Sequence, residues 1–342
     1  MISEPVINSY VIRRKKAKVF ISLVVSFFYA LVLAIIPNDF FRDRYNYSLY
    51  ADRLSEIQQR FSIETFFFNE PLFYYINKFL YVFFSAELIP KLFVFFIAFS
   101  ISYLLIIYSR NIFNAVLGLL LLFFVSYTFH LQLVVLRQGV ATALLLWFVY
   151  YYWDNKKVFY PICFLLSLIH VSFFIVFFII FIDYFLSCYF KNMKFRIVLI
   201  ALMLLASSFS MVQLAASLGV RQVQSEGYLS TTEGGGGGFI LFSFVLVFIL
   251  LRGLNNVYRN KFGRIAILGI VAYLSFYYTI PVSGRIIATF IPFLYIYTVS
   301  STNWKVLLSV TVFLMVNIYL FTGSISDGSL SPVGVNFLNS LF

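Results

Sequence analysis

The chain has 342 residues, of which 62% are hydrophobic, 21% aromatic and only 11% charged. Soluble domains run at about 45–50% apolar and about 25% charged residues, so a soluble globular fold and a disordered chain are both excluded. The net charge of +12 sits in short clusters between apolar runs, a pattern that reports membrane topology rather than a nucleic-acid partner.

The first cluster, Arg13, Arg14, Lys15, Lys16 and Lys18, precedes an apolar run over 19–37. No small-residue cleavage site follows, so the run reads as a retained signal anchor with a cytoplasmic N-terminus. Further apolar runs cover 88–108, 112–129, 138–153, 158–170, 171–187, 197–217, 239–251, 265–281, 286–300 and 306–322. They predict an all-α polytopic integral membrane protein: one transmembrane domain over 1–342 with about eleven spans and no soluble domain.

The segment 71–86 is apolar but short, and it carries Asn77 and Lys78. Counting it as a crossing would move Lys156–Lys157 and the later basic clusters outside. It is therefore expected to be interfacial or re-entrant, within an outer loop over 38–87. Basic clusters also flank the run 158–181 on both sides, which requires a hairpin with His170 at its tip. Each arm spans only about 20 Å, so the tip is recessed, and backbone at that depth must be buried in protein or line a watery cavity.

The loop 216–238 contains Glu226, Tyr228 and the run Gly234–Gly238. These glycines lack the Lys-Ser/Thr and the strand–helix setting of a phosphate loop and read as a flexible joint. In this topology the C-terminus is outside, periplasmic or extracellular, and so are ten of the 13 acidic residues. Any chemistry is expected on that outer face. Cys163 and Cys188 read as small buried hydrophobes, and no metal-ligand spacing or cofactor motif is visible.

Arg137 and Arg285 stand at outer ends of spans, as do His130 and His170. Ionisable groups there are costly and are functional candidates by default. A guanidinium offers a fork of donors suited to phosphate, so two outer arginines on separate spans can clamp a pyrophosphate leaving group. The alternative for each arginine is snorkelling, or pairing with an acidic loop residue. His170 can accept a proton from an attacking sugar hydroxyl; its alternative is a buried histidine that ties down the turn. His130 reads as interfacial. The loop containing Asp43, Tyr47 and Glu70 can bind sugar or supply a base, although its mixed charges favour a solvated surface.

Several segments together resemble the EpsG-type family of bacterial polysaccharide polymerases, relatives of the Wzy O-antigen and capsule polymerases. They are Asp43-Arg-Tyr-Asn-Tyr47 with Tyr50, Glu70-Pro-Leu-Phe73, Arg137-Gln-Gly-Val-Ala141, Ser167-Leu-Ile-His170, Tyr228-Leu with the glycine run, and Ser283-Gly-Arg285. The resemblance implies a GT-C-like glycosyltransferase of the bacterial cytoplasmic membrane. It would transfer an undecaprenyl-pyrophosphate-linked glycan onto a lipid-linked repeat unit at the outer face, without a metal and with inversion. Donor and acceptor are then lipid-linked oligosaccharides, membrane lipid surrounds the site, and a chain-length regulator protein is an admissible partner. Arg137 and Arg285 match positions that hold pyrophosphate, His170 a recurring histidine, and Asp43 and Glu70 recurring acids; the base among them stays open. Tyr47 and Tyr228 are sugar-stacking candidates.

Two other functions share this composition. A lipid-linked oligosaccharide flippase would need a cavity open to the cytoplasm and usually shows two related halves, which this sequence lacks. A membrane sugar acyltransferase would need histidines in an acyl-transfer setting that neither His130 nor His170 has.

Overall fold

The computed structural model describes residues 4–58, 69–217, 236–250, 253–280, 283–301 and 304–326, and among these every regular element is helical. A long α1 (Glu4–Ile35) leads into a short 3₁₀ turn, then α2 (Arg42–Asp52), α3 (Leu54–Gln58) and α4 (Pro71–Tyr81). Next come α5 (Leu88–Tyr108), α6 (Ile112–Phe124), α7 (Ser126–Leu133) and α8 (Leu136–Tyr152). The pair α9 (Lys156–Leu165) and α10 (Phe173–Tyr189) follows, then α11 (Met193–Ser217), α12 (Gly237–Leu250) and α13 (Leu254–Arg259). The chain continues with α14 (Lys261–Phe276), α15 (Ser283–Val299) and α16 (Trp304–Ser326).

The apolar runs expected to cross the membrane are largely helical where they are described, although 112–129 is divided between α6 and α7 and 158–170 runs past the end of α9 into the turn before α10. Two helical stretches, Lys16–Ile35 and Leu88–Tyr108, are long and apolar enough to cross unaided, and α6 with α7 makes a third candidate bent by 74°. The remaining apolar helices are shorter because the chain breaks them at identifiable points. Val125 is extended between α6 and α7, and the backbone N–H groups of both Val134 and Val135 donate to the His130 carbonyl as α7 ends. Large apolar side chains such as Phe20, Phe28, Ile112, Phe113 and Tyr319 face outward. A hydrocarbon surrounding accommodates such a surface; water does not.

The core is built by α5, α8, α14 and α15. In α14, a Cβ on Gly269 would fall 2.0 Å from the Phe290 ring, so only glycine lets α15 come this close. Small residues serve the same purpose at helix contacts in lipid generally. Gly139 acts likewise where α8 passes the end of α7: its absent Cβ would meet the Leu131 carbonyl oxygen at 2.3 Å.

Two expectations change. Cys163 is buried, but Cys188, in the last turn of α10, is exposed; it sits on the outward, apolar face of its helix. The segment beginning at Asn38 is not a solvated surface loop where it is described. It folds into α2 and α3, and Arg44 is completely buried. Arg44 Nη2 donates to the Ala34 carbonyl at 3.1 Å, capping the C-terminus of α1, where a cation is favoured. Burial lowers its pKa to about 10, which leaves it charged at neutral pH.

Candidate active site

Glu70 organises the site. It is the residue before α4, with Pro71 at the first helical position, which suits proline because no N–H is needed there. Its backbone is left-handed (φ 58°), the one positive φ at a non-glycine among the described residues. That conformation costs a residue with a side chain roughly 1–2 kcal/mol, and such outliers concentrate where function fixes geometry. Here it aims a carboxylate inward, and Glu70 is only 4% exposed.

Three partners meet the carboxylate. Oε2 accepts from Arg137 Nη1. Oε1 lies 2.5 Å from His170 Nδ1 and accepts the backbone N–H of Val171 at 3.2 Å. Burial alone would raise the Glu70 pKa, but the charge of Arg137, the nearness of His170 and the hydrogen bonds from both outweigh it and bring it down to about 2. The carboxylate is therefore an anion with both oxygens engaged, and a poor proton acceptor at neutral pH.

Arg137 sits in the first turn of α8, where a positive charge opposes the helix dipole. Glu70 compensates that charge. The guanidinium carbon also lies 5.6 Å from the ring centre of Tyr47, 5.7 Å from that of Tyr50 and 5.7 Å from that of Phe73. These are cation–π distances, so α2 and α4 wrap an aromatic wall around the arginine. The Arg137 side chain nonetheless keeps 37% of its surface exposed.

His170 stands in the turn between α9 and α10, after a 3₁₀ turn over Leu166–Leu168. It is 3% exposed. Because Nδ1 faces an anion, it donates to it, and in a neutral ring Nε2 is then the acceptor. Nε2 is buried and has no hydrogen-bond partner among the described residues, and neither has the hydroxyl of Ser172 two residues on.

The two arginines are linked through Gln138. Its Nε2 donates to the Arg285 carbonyl and, at 2.8 Å, to Thr289 Oγ1. That fixes the start of α8 against the start of α15 and puts both arginines at one end of the helix bundle. Arg285 is exposed, and no ion pair involves it among the described residues.

Of the residues singled out from sequence, Glu70, Arg137, His170 and Tyr47 are therefore in one cluster, with Arg285 at the same end. Tyr47 is buried against Arg137 and does not present a free face. Asp43 is exposed and touches none of the cluster; its charge faces His130, which is half-buried. Tyr228, Gly234 and Gly235 lie outside the described residues; the rest of the glycine run is not a loop throughout, because Gly237 and Gly238 form the first turn of α12.

Sequence reasoning missed a second buried charge. Asp183, on α10, is 1% exposed. Arg264 Nε donates to its Oδ2 at 2.5 Å, and the Tyr258 hydroxyl lies 3.5 Å from its Oδ1. The signal was present in the sequence: a single acidic residue inside the apolar stretch Phe173–Tyr189 is itself a pointer to a buried partner.

This combination of an all-helical fold, an apolar exterior and a buried charged cluster at one end defines a helical membrane protein with an internal polar site. The chain belongs to the EpsG family, whose model matches residues 18–332, nearly its whole length. Membership supports a role in polysaccharide biosynthesis as a polymerase of the glycosyltransferase kind. Neither the curated proteins nor the solved structures contain a match.

Proposed function

We propose that the protein is a repeat-unit polymerase of the cytoplasmic membrane, transferring a glycan from a polyprenyl pyrophosphate carrier to a lipid-linked acceptor at the outer face. The single observation that carries this reading is the His170–Glu70 contact, which orients the imidazole and leaves Nε2 without a partner. A hydroxyl of the acceptor sugar is the partner that nitrogen lacks.

In the proposed step, the acceptor hydroxyl oxygen attacks the anomeric carbon of the donor while Nε2 takes the hydroxyl proton. The bond from the anomeric carbon to the pyrophosphate oxygen breaks, and its electron pair leaves with the pyrophosphate. Attack opposite the leaving group inverts the anomeric centre. Glu70 stays ionised throughout, holding the tautomer and stabilising the imidazolium that forms, as a carboxylate does behind a catalytic histidine. Asp43, exposed and outside the cluster, is a weaker candidate for the base.

Arg285 and the exposed part of Arg137 bind the pyrophosphate and offset its growing charge. The reading is metal-independent because arginine charge fills that role. With Nε2 buried, the acceptor reaches it only after the packing around the His170 turn opens, a gating step of the kind common in enzymes that exclude water.

The test is polymer formation in a host lacking its own polymerase but holding the native repeat-unit pathway. Wild type should give long glycan ladders, and His170→Ala should give single repeat units at normal membrane levels. Ladders from His170→Ala would sink the assignment of the base. No ladder from wild type would turn the reading toward the flippase.

A further inference from the structure

Further along α10 the chemistry reverses. Asp183 lies ten residues beyond the start of that helix, about 15 Å along it, and it is neutralised by Arg264. A second arginine stands beside this pair. Arg196, in the first turn of α11, is 5% exposed and its Nε has no partner among the described residues. Its guanidinium carbon lies 5.4 Å from the centre of the Tyr258 ring, and that of Arg264 lies 5.5 Å from the same ring. Tyr258 thus has two arginines against it.

Next to Tyr258 a cavity of about 410 Å³ opens, lined by Lys194, Gly253, Leu254, Asn255, Asn256 and Arg259. Its lining holds two cations and two amides and no carboxylate. Gly253 (φ 93°) supplies the backbone turn into α13, and the Asn192 side chain caps α11 by accepting the Lys194 N–H at 3.0 Å. Both walls are thereby set by local structure. From Lys194 an outward apolar stripe runs down α11 through Phe195, Val198 and Leu202, each about half exposed and spaced to share one helix face.

We propose that this cavity binds the phosphate of an anionic phospholipid headgroup, with the acyl chains lying along the α11 stripe. Cationic and amide donors match phosphate oxygens, the absence of an acid leaves the anion unopposed, and Arg196 behind Tyr258 adds to the positive field. The stripe distinguishes a lipid from a soluble anion, which would make no use of it. The charge bias of the sequence puts this end on the cytoplasmic side, where basic pockets between helices bind acidic headgroups. The site is independent of the polymerase reading.

The test titrates the purified full chain in neutral detergent with phosphatidylglycerol, phosphatidylcholine or inorganic phosphate, reading the melting temperature. Phosphatidylglycerol should raise it saturably and phosphatidylcholine should not. In Lys194→Gln/Arg259→Gln, two exposed positions, the half-saturating concentration should rise about thirty-fold. Arg110→Gln, an exposed cation outside the cavity, should leave it unchanged. An equal response to phosphatidylcholine, or an unaltered phosphatidylglycerol titration in the double variant, would overturn the site. The same melting rise with inorganic phosphate alone would overturn the lipid and leave a soluble anion in its place.

Discussion

His170 Nδ1 stands 2.5 Å from Glu70 Oε1, and this contact decides which ring nitrogen faces away from the carboxylate. The two residues are 100 positions apart in sequence, brought together because α4 begins where the α9–α10 turn ends. Arg137 holds the other carboxylate oxygen, so the orientation of the imidazole depends on a cation from a third helix.

Glu70→Gln should retain the shape of the cluster but lose the charge that fixes the tautomer. The expected result is a fall in polymerisation of two or more orders of magnitude, with near-normal membrane levels. It is read by ladder formation beside an immunoblot.

The same residue governs acid stability. The Glu70 pKa in the folded chain, about 2, lies below its ordinary 4.5, so its contribution to stability is fully present above about pH 4.5. It is lost as pH falls toward 2. Melting curves of wild type and Glu70→Gln in detergent should therefore converge over that window. Curves that stay parallel from pH 6 to pH 2 would contradict the ionised, paired carboxylate.

Arg137→Ala and Arg285→Ala should separate stability from activity. The first strands a buried carboxylate and should cost about 2 kcal/mol. That is less than the ~3–5 kcal/mol of a fully buried pair, because the Arg137 side chain is 37% exposed. The second removes an exposed charge and should change stability by no more than about 0.5 kcal/mol. Both should reduce ladders to single units. A fully active Arg285→Ala would remove it from the pyrophosphate site.

Gly139→Ala should impair the protein through packing alone. The added methyl would meet the Leu131 carbonyl at 2.3 Å and the Ile97 side chain at 2.6 Å, and such overpacking costs about 1–3 kcal/mol. Because Gly139 is two residues from Arg137, a shift of α8 should also lower activity. Melting and ladder formation in the same preparation check both effects.

Much of this was legible in the sequence. Helices follow directly from the apolar runs, and the flanking basic clusters put His170 in a turn. Arg137 and Arg285 were read at a common end, where the Gln138 contacts hold the starts of their helices together. An acidic loop partner for Arg137 and a buried, hydrogen-bonded His170 were among the alternatives. That one residue, Glu70, serves both was not legible, because a carboxylate in a loop of mixed charges looks the same whether it faces water or a histidine a hundred residues away. Arg44 was hidden for a related reason: its value lies in the Ala34 carbonyl it caps, and a backbone acceptor leaves no mark in sequence. Local periodicity specifies which face of a helix is apolar; it says little about which charges will meet across the bundle.

The buried ion pair of Asp183 with Arg264 bears on how the molecule moves. One segment, from His170 to Tyr189, is tethered at its first residue to Glu70 and midway along to α14. A strut pinned at two points, with a buried carboxylate in each, resists both tilting and sliding. In the proposed reaction, access to His170 then comes from the other wall, where Glu70 and the rings of Tyr47, Tyr50 and Phe73 hold Arg137. Opening that wall would part the rings and the Arg137 contacts to Glu70 and Tyr47 together, so in the proposed reaction the ion pair is the latch and α10 the frame.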